Sequence, residues 1–196
     1  SYMKPLTPAS PHAIIMVGIP GSGKSTFADH FADTFKTPLV SQTKLQREFQ
    51  LSREAAESLM NSILSEYIKT NRTILIDGGL DEKTHRDDLV RRLVKEGYRP
   101  LVVWVQTDTA ESFRRASKPY PHGSGILLDE FNELVDLFDP PHEKEKTVVI
   151  SGKHTYASQL KIILKQLAIP DTTQPKLPPS PSTGNRSRTT RRPFMR

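Results

Sequence analysis

The stretch Gly18-Ile19-Pro20-Gly21-Ser22-Gly23-Lys24-Ser25-Thr26 decides the fold of this 196-residue chain. It completes the pattern Gly-x-x-x-x-Gly-Lys-Ser/Thr, and an apolar run at residues 13–17 leads into it. Phe27 and Phe31 follow it four residues apart, which is helical spacing. A strand, a glycine loop and a helix in this order form a phosphate-binding loop, because the loop and the helix N-terminus turn backbone N–H groups toward an anion. The sequence therefore predicts a nucleotide-binding site.

The loop side chains suggest how ATP would be bound. Lys24 has the length and charge to reach the β- and γ-phosphates, and we expect it to be catalytic. The Ser25 hydroxyl is a ligand of the kind that binds Mg²⁺ in such loops. The residues expected to bind the nucleotide are Gly21, Ser22, Gly23, Lys24, Ser25 and Thr26.

Five apolar runs alternate with helical patterns along the chain. Each run is almost uninterrupted by polar residues, which is typical of parallel strands that are buried on both faces. The runs cover residues 13–17, 39–41, 73–77, 101–105 and 147–150. The alternation predicts an α/β fold, a three-layer α/β/α P-loop NTPase domain with a five-stranded parallel sheet over residues 13–169.

Capping residues predict where several helices begin. Ser52, Asp81, Thr109 and Thr155 each precede a helical pattern and have side chains that accept a hydrogen bond from a helix N-terminus. Trp104 lies within the fourth apolar run, so we expect it to belong to the core rather than to bind a ligand.

Further site residues are expected just after the strands, since ligands of open parallel sheets bind at that edge. Asp77 ends the third run and is predicted to bind Mg²⁺ and to act in catalysis, although a capping role in the next turn is the alternative. Arg115 follows the fourth run and is predicted to close over the transferred phosphoryl group as a catalytic lid arginine, with a solvated helix face as the alternative. Gly152 follows the fifth run and is predicted to pack against the adenine ring. His85 and Arg86 could face the cleft, but for His85 a surface position is favoured.

The order of these parts resembles the polynucleotide 5′-kinase-like family of P-loop kinases, which groups with AAA-type ATPases and zeta-toxin-like proteins. The resemblance covers about residues 12–168 and implies ATP and Mg²⁺ as cofactors. Besides the phosphate loop, the matching stretches are Asp77-Gly78-Gly79, Arg86, Phe113-Arg114-Arg115-Ala116-Ser117-Lys118, and Leu137-Phe138-Asp139-Pro140-Pro141 with Glu143 after it.

The chain departs from this family after the second strand. The family usually carries there an Asp that acts as general base and, three residues later, an Arg that binds the substrate. Thr43 stands at the position of the Asp and Gln46 at that of the Arg, while Arg47 is one residue further on. A threonine hydroxyl has no useful pKa for taking a proton near neutrality.

Two functions are compatible with these features. The first is an ATP-dependent kinase that transfers the γ-phosphoryl group to a hydroxyl of a nucleic-acid end or a small molecule. The second is an ATP-binding regulatory module, with weak or no transferase activity, that recruits a partner through a basic tail. The intact loop and lid favour the first, whereas the missing Asp favours the second.

Charge and composition set the two ends of the chain apart from its middle. Residues 1–12 form a proline-rich, extended lead-in, and residues 170–196 form a tail rich in Pro, Ser and Arg that is predicted to be disordered. Of the net charge of +6, five units fall on residues 171–196, which hold six basic residues and one acidic residue. Residues 186–196 are therefore predicted to attract nucleic acid or another acidic partner, unless the tail is only solvated or folds back onto the domain.

The composition also bounds the setting of the protein. The chain has no cysteine, which excludes disulfide and thiol chemistry and fits a cytoplasmic location. No apolar run approaches the length of a membrane span, so we expect no membrane partner.

Overall fold

The computed structural model describes residues 10–170. The strands are β1 His12–Val17, β2 Leu39–Ser41, β3 Ile74–Asp77, β4 Arg99–Gln106 and β5 Thr147–Ser151. The helices are α1 Lys24–Phe35, α2 Gln42–Phe49, α3 Arg53–Lys69, α4 Lys83–Lys95, α5 Thr109–Ala116, α6 Leu128–Leu137 and α7 Tyr156–Leu167. The predicted lead-in and tail fall almost entirely outside the described residues.

All five strands are parallel, in the order β2-β3-β1-β4-β5. This confirms the predicted α/β fold and its five-stranded sheet. β1 lies at the centre, and all six of its residues are buried because it pairs with β3 on one side and β4 on the other. The phosphate loop therefore leaves the sheet at its middle.

Two apolar layers cover the sheet. One joins α1 and α7 to alternate strand residues and is centred on Phe27, Phe31 and Ile163. The other joins α3 and α4 to the opposite strand residues and is centred on Met60, Leu64 and Leu93. Strand residues alternate between the two layers because successive side chains in a strand point to opposite faces.

Two of the four predicted helix caps are wrong. Asp108, not Thr109, caps α5, and its carboxylate accepts a hydrogen bond from the Glu111 N–H at 2.9 Å. Asp81 does not cap α4, which begins after Glu82 without a side-chain cap. The predicted caps Ser52 and Thr155 are confirmed, since each side chain accepts a bond from the N–H three residues later.

The helices α5 and α6 share a small apolar cluster of their own. This third cluster is centred on Phe131 with Ala116 and Ile126, and it packs against Ile19 of the phosphate loop.

None of the helices within residues 10–170 combines the length and the apolar character needed to cross a membrane.

Candidate active site

The phosphate loop is held in shape by its glycines and by contacts to α5. Gly21 has φ 76° and Gly23 has φ 105°, which is a backbone region that other residues rarely adopt. A Cβ on Gly21 would also lie 2.0 Å from the Ser112 carbonyl oxygen. Within the loop, the Ser22 N–H donates to the Ile19 carbonyl at 3.1 Å. The loop thus has a shape that only this glycine pattern permits.

Lys24 is the first residue of α1, and its Nζ donates to the Ile19 carbonyl at 3.3 Å. The Lys24 ammonium group therefore lies over the phosphate loop that precedes it. α1 has no side-chain N-cap, so its first backbone N–H groups remain available to an anion.

Asp77 lies against the phosphate loop and is 1% exposed. Its Oδ2 accepts hydrogen bonds from the Ser25 hydroxyl at 2.8 Å and from the Ser41 hydroxyl at 3.2 Å. Its Oδ1 is buried and has no hydrogen-bond partner among the described residues. These bonds go to side chains, not to the backbone N–H groups that the capping alternative requires. Ser41 was missed in the sequence, although it ends the neighbouring strand.

The pair Ser25 and Asp77 fits a magnesium ion. A buried carboxylate oxygen without a partner is costly unless a cation or a donor satisfies it. Both groups are hard oxygen ligands, and Mg²⁺ in such sites needs only one or two protein ligands beside phosphate oxygens. Within residues 10–170, no group of three or more His, Asp or Glu residues could hold a metal by itself.

Arg115 contacts the loop after β5 instead of reaching into open solvent. Its Nη1 donates to the Gly152 carbonyl at 2.9 Å, and its Nε donates to Glu111 Oε1 at 2.8 Å. Glu111 also accepts two bonds from Arg114 at 2.7 Å. The hydrogen bonds from Arg114 and then Arg115 lower the pKa of Glu111 from 4.5 to about 2. The sequence indicated Arg115 but not Glu111, which orients it.

Gly152 packs directly beneath the phosphate loop. A Cβ there would lie 1.9 Å from the Ser22 carbonyl oxygen and 2.1 Å from Thr107 Oγ1. Thr107 itself donates to the same Ser22 carbonyl at 2.8 Å. The absence of a side chain at Gly152 is therefore what allows β5 to support the loop.

A small cavity of about 160 Å³ opens beside Gly152. Its lining includes Gly23 and Thr26 at the start of α1, together with Arg115. His30, His154 and Tyr156 complete much of its wall, and the His30 and Tyr156 rings meet edge to face with centroids 5.0 Å apart. Sequence reasoning missed these three residues, although His154 and Tyr156 closely follow the Gly152 that it selected.

Helix α2 contacts the loop between α5 and α6, which we call the lid loop. Thr43 is exposed on α2, and Gln46 is partly buried. The Arg47 guanidinium lies 4.8 Å from the centre of the Tyr120 ring, so that α2 and the lid loop touch through a cation–π contact. The arginine that stands one residue from its expected place therefore binds the lid.

Arg86 does not face the cleft. It is completely buried, and its guanidinium binds Glu145 through Nε at 2.8 Å and Nη2 at 3.2 Å. Its Nη1 donates to the carbonyls of Leu80 and Asp81 at 3.0 and 3.1 Å. Arg86 thus holds the turn after β3 against the segment before β5. Its acidic partner is Glu145, whereas the family resemblance had pointed to Glu143, two residues earlier. His85 is exposed, in agreement with the surface position that the sequence favoured.

Comparisons with known proteins agree with this fold. The family model described as an AAA domain matches residues 14–141. No curated protein sequence matches the chain.

Several solved structures share the fold. A gluconokinase from Sinorhizobium meliloti is 16% identical, with a TM-score of 0.60 over 81% of this chain and 92% of that chain. A sugar kinase from Janibacter is 19% identical, with a TM-score of 0.58 over 81% and 94%. An APS kinase from Mycobacterium tuberculosis, solved with AMPPNP and APS, is 14% identical, with a TM-score of 0.62 over 82% and 99%. At these identities the likeness establishes the fold alone.

Proposed function

The chain belongs to the AAA domain family, and on that premise we propose that it is an ATP-dependent kinase acting on a hydroxyl of a small molecule. The observation that carries the proposal is the Ser25–Asp77 pair beside a complete phosphate loop. In phosphoryl transfer the protein contributes mainly positioning and charge, and the phosphate loop, Asp77 and Arg115 would supply both.

The phosphate loop supplies the positioning. The N–H groups of residues 21–26 and the N-terminus of α1 would surround the β- and γ-phosphates. Lys24 would leave the Ile19 carbonyl, where it lies at 3.3 Å, and bind phosphate oxygens. Because the Lys24 ammonium group already lies over the loop, this change requires only a side-chain movement.

Ser25 and Asp77 would hold Mg²⁺. The ion supplies charge neutralisation to the phosphate oxygens when it is bound. Ser41 would keep Asp77 in place through its 3.2 Å hydrogen bond. The buried Asp77 Oδ1, which has no partner among the described residues, is the oxygen best placed to gain a ligand.

Arg115 would contact both the nucleoside and the phosphate end of the nucleotide. It closes one wall of the cavity beside Gly152, where we propose that the adenine and ribose lie. Its Nη1 donates to the Gly152 carbonyl and lies 3.8 Å from the position of a Cβ on Gly23. A short movement would bring the guanidinium onto the migrating phosphoryl group, whose negative charge it would stabilise.

The acceptor hydroxyl would attack the γ-phosphorus while the bond between this phosphorus and the bridging oxygen of ADP breaks, and the hydroxyl proton would leave to solvent. Thr43, which is exposed, cannot take that proton. Transfer through a loose transition state does not depend on a base, but its absence is expected to slow the reaction by about 10²–10⁴-fold.

The small-molecule class is supported by two observations. Three structural neighbours are described as a gluconokinase, a sugar kinase and an APS kinase, and the last was solved with an ATP analogue. In addition, residues 119–143 near the lid carry six acidic residues and no Lys or Arg, which disfavours a nucleic-acid backbone on that side. A nucleic-acid end remains the competing acceptor in the test.

A second candidate is the ATP-binding regulatory module, in which residues 186–196 recruit nucleic acid or another acidic partner. The specific observation that favours it is Thr43 at the position of the expected base. The recruiting segment lies outside the described residues.

The test is phosphorylation by Mg²⁺-ATP labelled in the γ-phosphate. The assay measures ADP release and transferred label, without acceptor and with polyols, nucleosides or a 5′-hydroxyl oligonucleotide. Lys24→Ala removes the side chain that would bind the phosphates. Lys95→Ala is the matched control, because Lys95 is an exposed lysine in the last turn of α4.

We expect label on a small hydroxyl compound in the wild type and in Lys95→Ala, and none in Lys24→Ala. Label on the oligonucleotide alone would replace the small-molecule class with nucleic-acid ends. Slow ADP release that no acceptor stimulates, with nucleotide still bound, would favour the regulatory module. If calorimetry detects no binding of Mg²⁺-ATP, both proposals fail.

A further inference from the structure

A groove of about 570 Å³ lies at the carboxyl ends of β4 and β5, on the face opposite α7. Its apolar lining includes Ile19, Trp104, Phe138, Pro140 and Val149. Val149 is a strand residue that is 46% exposed, so the described residues leave this part of the sheet uncovered. The groove is separate from the smaller cavity beside Gly152, and its volume suits an aromatic side chain with its neighbours.

An acidic face leads along α6 to this groove. It consists of the exposed carboxylates Asp129, Glu130, Glu133, Asp136 and Glu143. None of these five makes an ion pair with another residue of the described range 10–170. α6 passes directly into Phe138 and Pro140, which line the groove.

Helix stability explains only part of the acidic face. Asp129 and Glu130 lie in the first turn of α6, where negative charge is favourable. Glu133 lies in the middle and Asp136 lies in the last turn, where negative charge opposes the helix dipole and no basic residue offsets it. Their placement therefore indicates a basic partner.

The same chain contains a segment with the complementary chemistry. Residues 186–196 hold five arginines and no acidic residue. The number of arginines equals the number of carboxylates in the acidic face. Phe194 is the only aromatic residue after Tyr156, and Pro193 and Met195 flank it. The segment thus offers one apolar side chain for the groove and positive charge for the face beside it.

The chain is long enough to bring the two together. Arg99 at the start of β4 donates to the Ile169 carbonyl at 2.8 Å, so the chain leaves the domain at the opposite end of β4 from the groove. β4 has eight residues and spans about 25 Å. The intervening residues 171–185 reach about 50 Å when extended.

We propose that residues 186–196 dock on their own domain, with Phe194 in the groove and the arginines along the acidic face. The occupant is this segment and not a nucleic acid, because the acidic face repels phosphates. Ile19 belongs both to the phosphate loop and to the groove lining, so the docked segment lies against the nucleotide site. A short tether gives an effective concentration on the order of millimolar, at which weak contacts suffice for docking.

The composition of the chain provides a direct test. Trp104 is the only tryptophan and lines the groove, and there is no native cysteine. In the full-length chain, Met195→Cys carries a nitroxide label, and quenching of Trp104 fluorescence is measured. Ser58→Cys is the control, since Ser58 is exposed on α3, which packs on the edge strand β2, and β2 lies three strand spacings, about 14 Å, from the strand β4 that carries Trp104.

We expect the label at position 195 to reduce Trp104 emission by about twofold or more, given the effective concentration above. The label at position 58 should leave the emission unchanged. The charge reversal Glu133→Lys with Asp136→Lys should abolish the quenching, and adding Arg191→Glu with Arg192→Glu should restore it. Both α6 positions are exposed, so these variants keep the fold.

Three results would overturn the proposal. The first is quenching from position 195 that does not exceed that from position 58. The second is quenching that survives the charge reversal on α6. The third is quenching that rises with protein concentration, which would make the occupant a second copy of the chain. None of these readouts depends on kinase activity.

Discussion

Replacing Arg86 with methionine tests whether this residue is structural, as its burial indicates, or part of the reaction site. Arg86 is 0% exposed and makes four hydrogen bonds. Its loss leaves the Glu145 side chain, which is 9% exposed, with the His142 N–H at 2.7 Å as its one remaining hydrogen-bond donor among residues 10–170. The carbonyls of Leu80 and Asp81 lose their donor as well. The substitution therefore leaves a buried charge without its partner.

The expected cost follows from this burial. Removing one partner of a buried ion pair costs about 3–5 kcal/mol. In a domain of this size each kcal/mol lowers the Tm by about 2–4 °C, so Arg86→Met is expected to lower it by about 6–20 °C. Arg91→Met is the matched control, because the ion pair of Arg91 with Asp88 has side chains 76% and 73% exposed. We expect that control to cost about 0.5 kcal/mol or less.

The assay is urea and thermal unfolding followed by circular dichroism, with nucleotide affinity measured on the folded variants. Arg86→Met with Glu145→Leu should recover much of the loss, since removing both charges leaves no unpaired ion. Nucleotide affinity should stay unchanged, because Arg86 does not line the cavity beside Gly152. An Arg86→Met variant as stable as Arg91→Met, or one that loses affinity while keeping its stability, would refute the reasoning.

Three further predictions concern the candidate site. Gly152→Ala places a Cβ 1.9 Å from the Ser22 carbonyl oxygen, an overpacking strain of about 1–3 kcal/mol. It should weaken Mg²⁺-ATP binding in calorimetry by about 5–150-fold, and unchanged affinity would contradict this. The hydrogen bonds from Arg114 and then Arg115 lower the pKa of Glu111 from 4.5 to about 2, so these contacts contribute stability above pH 4.5 that is lost as the pH falls toward 2. The Tm advantage of wild type over Glu111→Gln should shrink over that range, and a constant difference would count against the contact. Asp77→Asn should make ATP affinity insensitive to Mg²⁺, whereas an unaltered Mg²⁺ dependence would exclude Asp77 as its ligand.

The fold could be predicted because its signals are local. Each strand is a short apolar run, and the phosphate loop requires an order of strand, loop and helix that neighbouring residues specify. The errors at the helix starts have the same origin. Asp108 and Thr109 are adjacent and can both cap a helix, and only the backbone conformation decides between them.

The site could be predicted only in part, because several of its contacts join distant residues. Arg86 and Glu145 are 59 residues apart, and no local pattern pairs them. Gly79 follows β3 closely, and a Cβ there would lie 2.0 Å from Gln42 Oε1, a contact between two residues that no local pattern pairs. The contact of Arg47 could not be predicted for the same reason, since its partner Tyr120 lies on a loop far along the chain.

The strand order has a consequence for how the protein is made. β1 is synthesised first but pairs with β3 and β4, and Ala13 lies beside Ile74 and Pro100. Contacts between such distant residues form slowly, because long loops must close first. The central strand therefore waits until most of the domain has emerged from the ribosome. Within the domain the phosphate loop is translated early, yet Gly152, on which it rests, is translated near the end. The loop therefore gains this support only when most of the domain has been made.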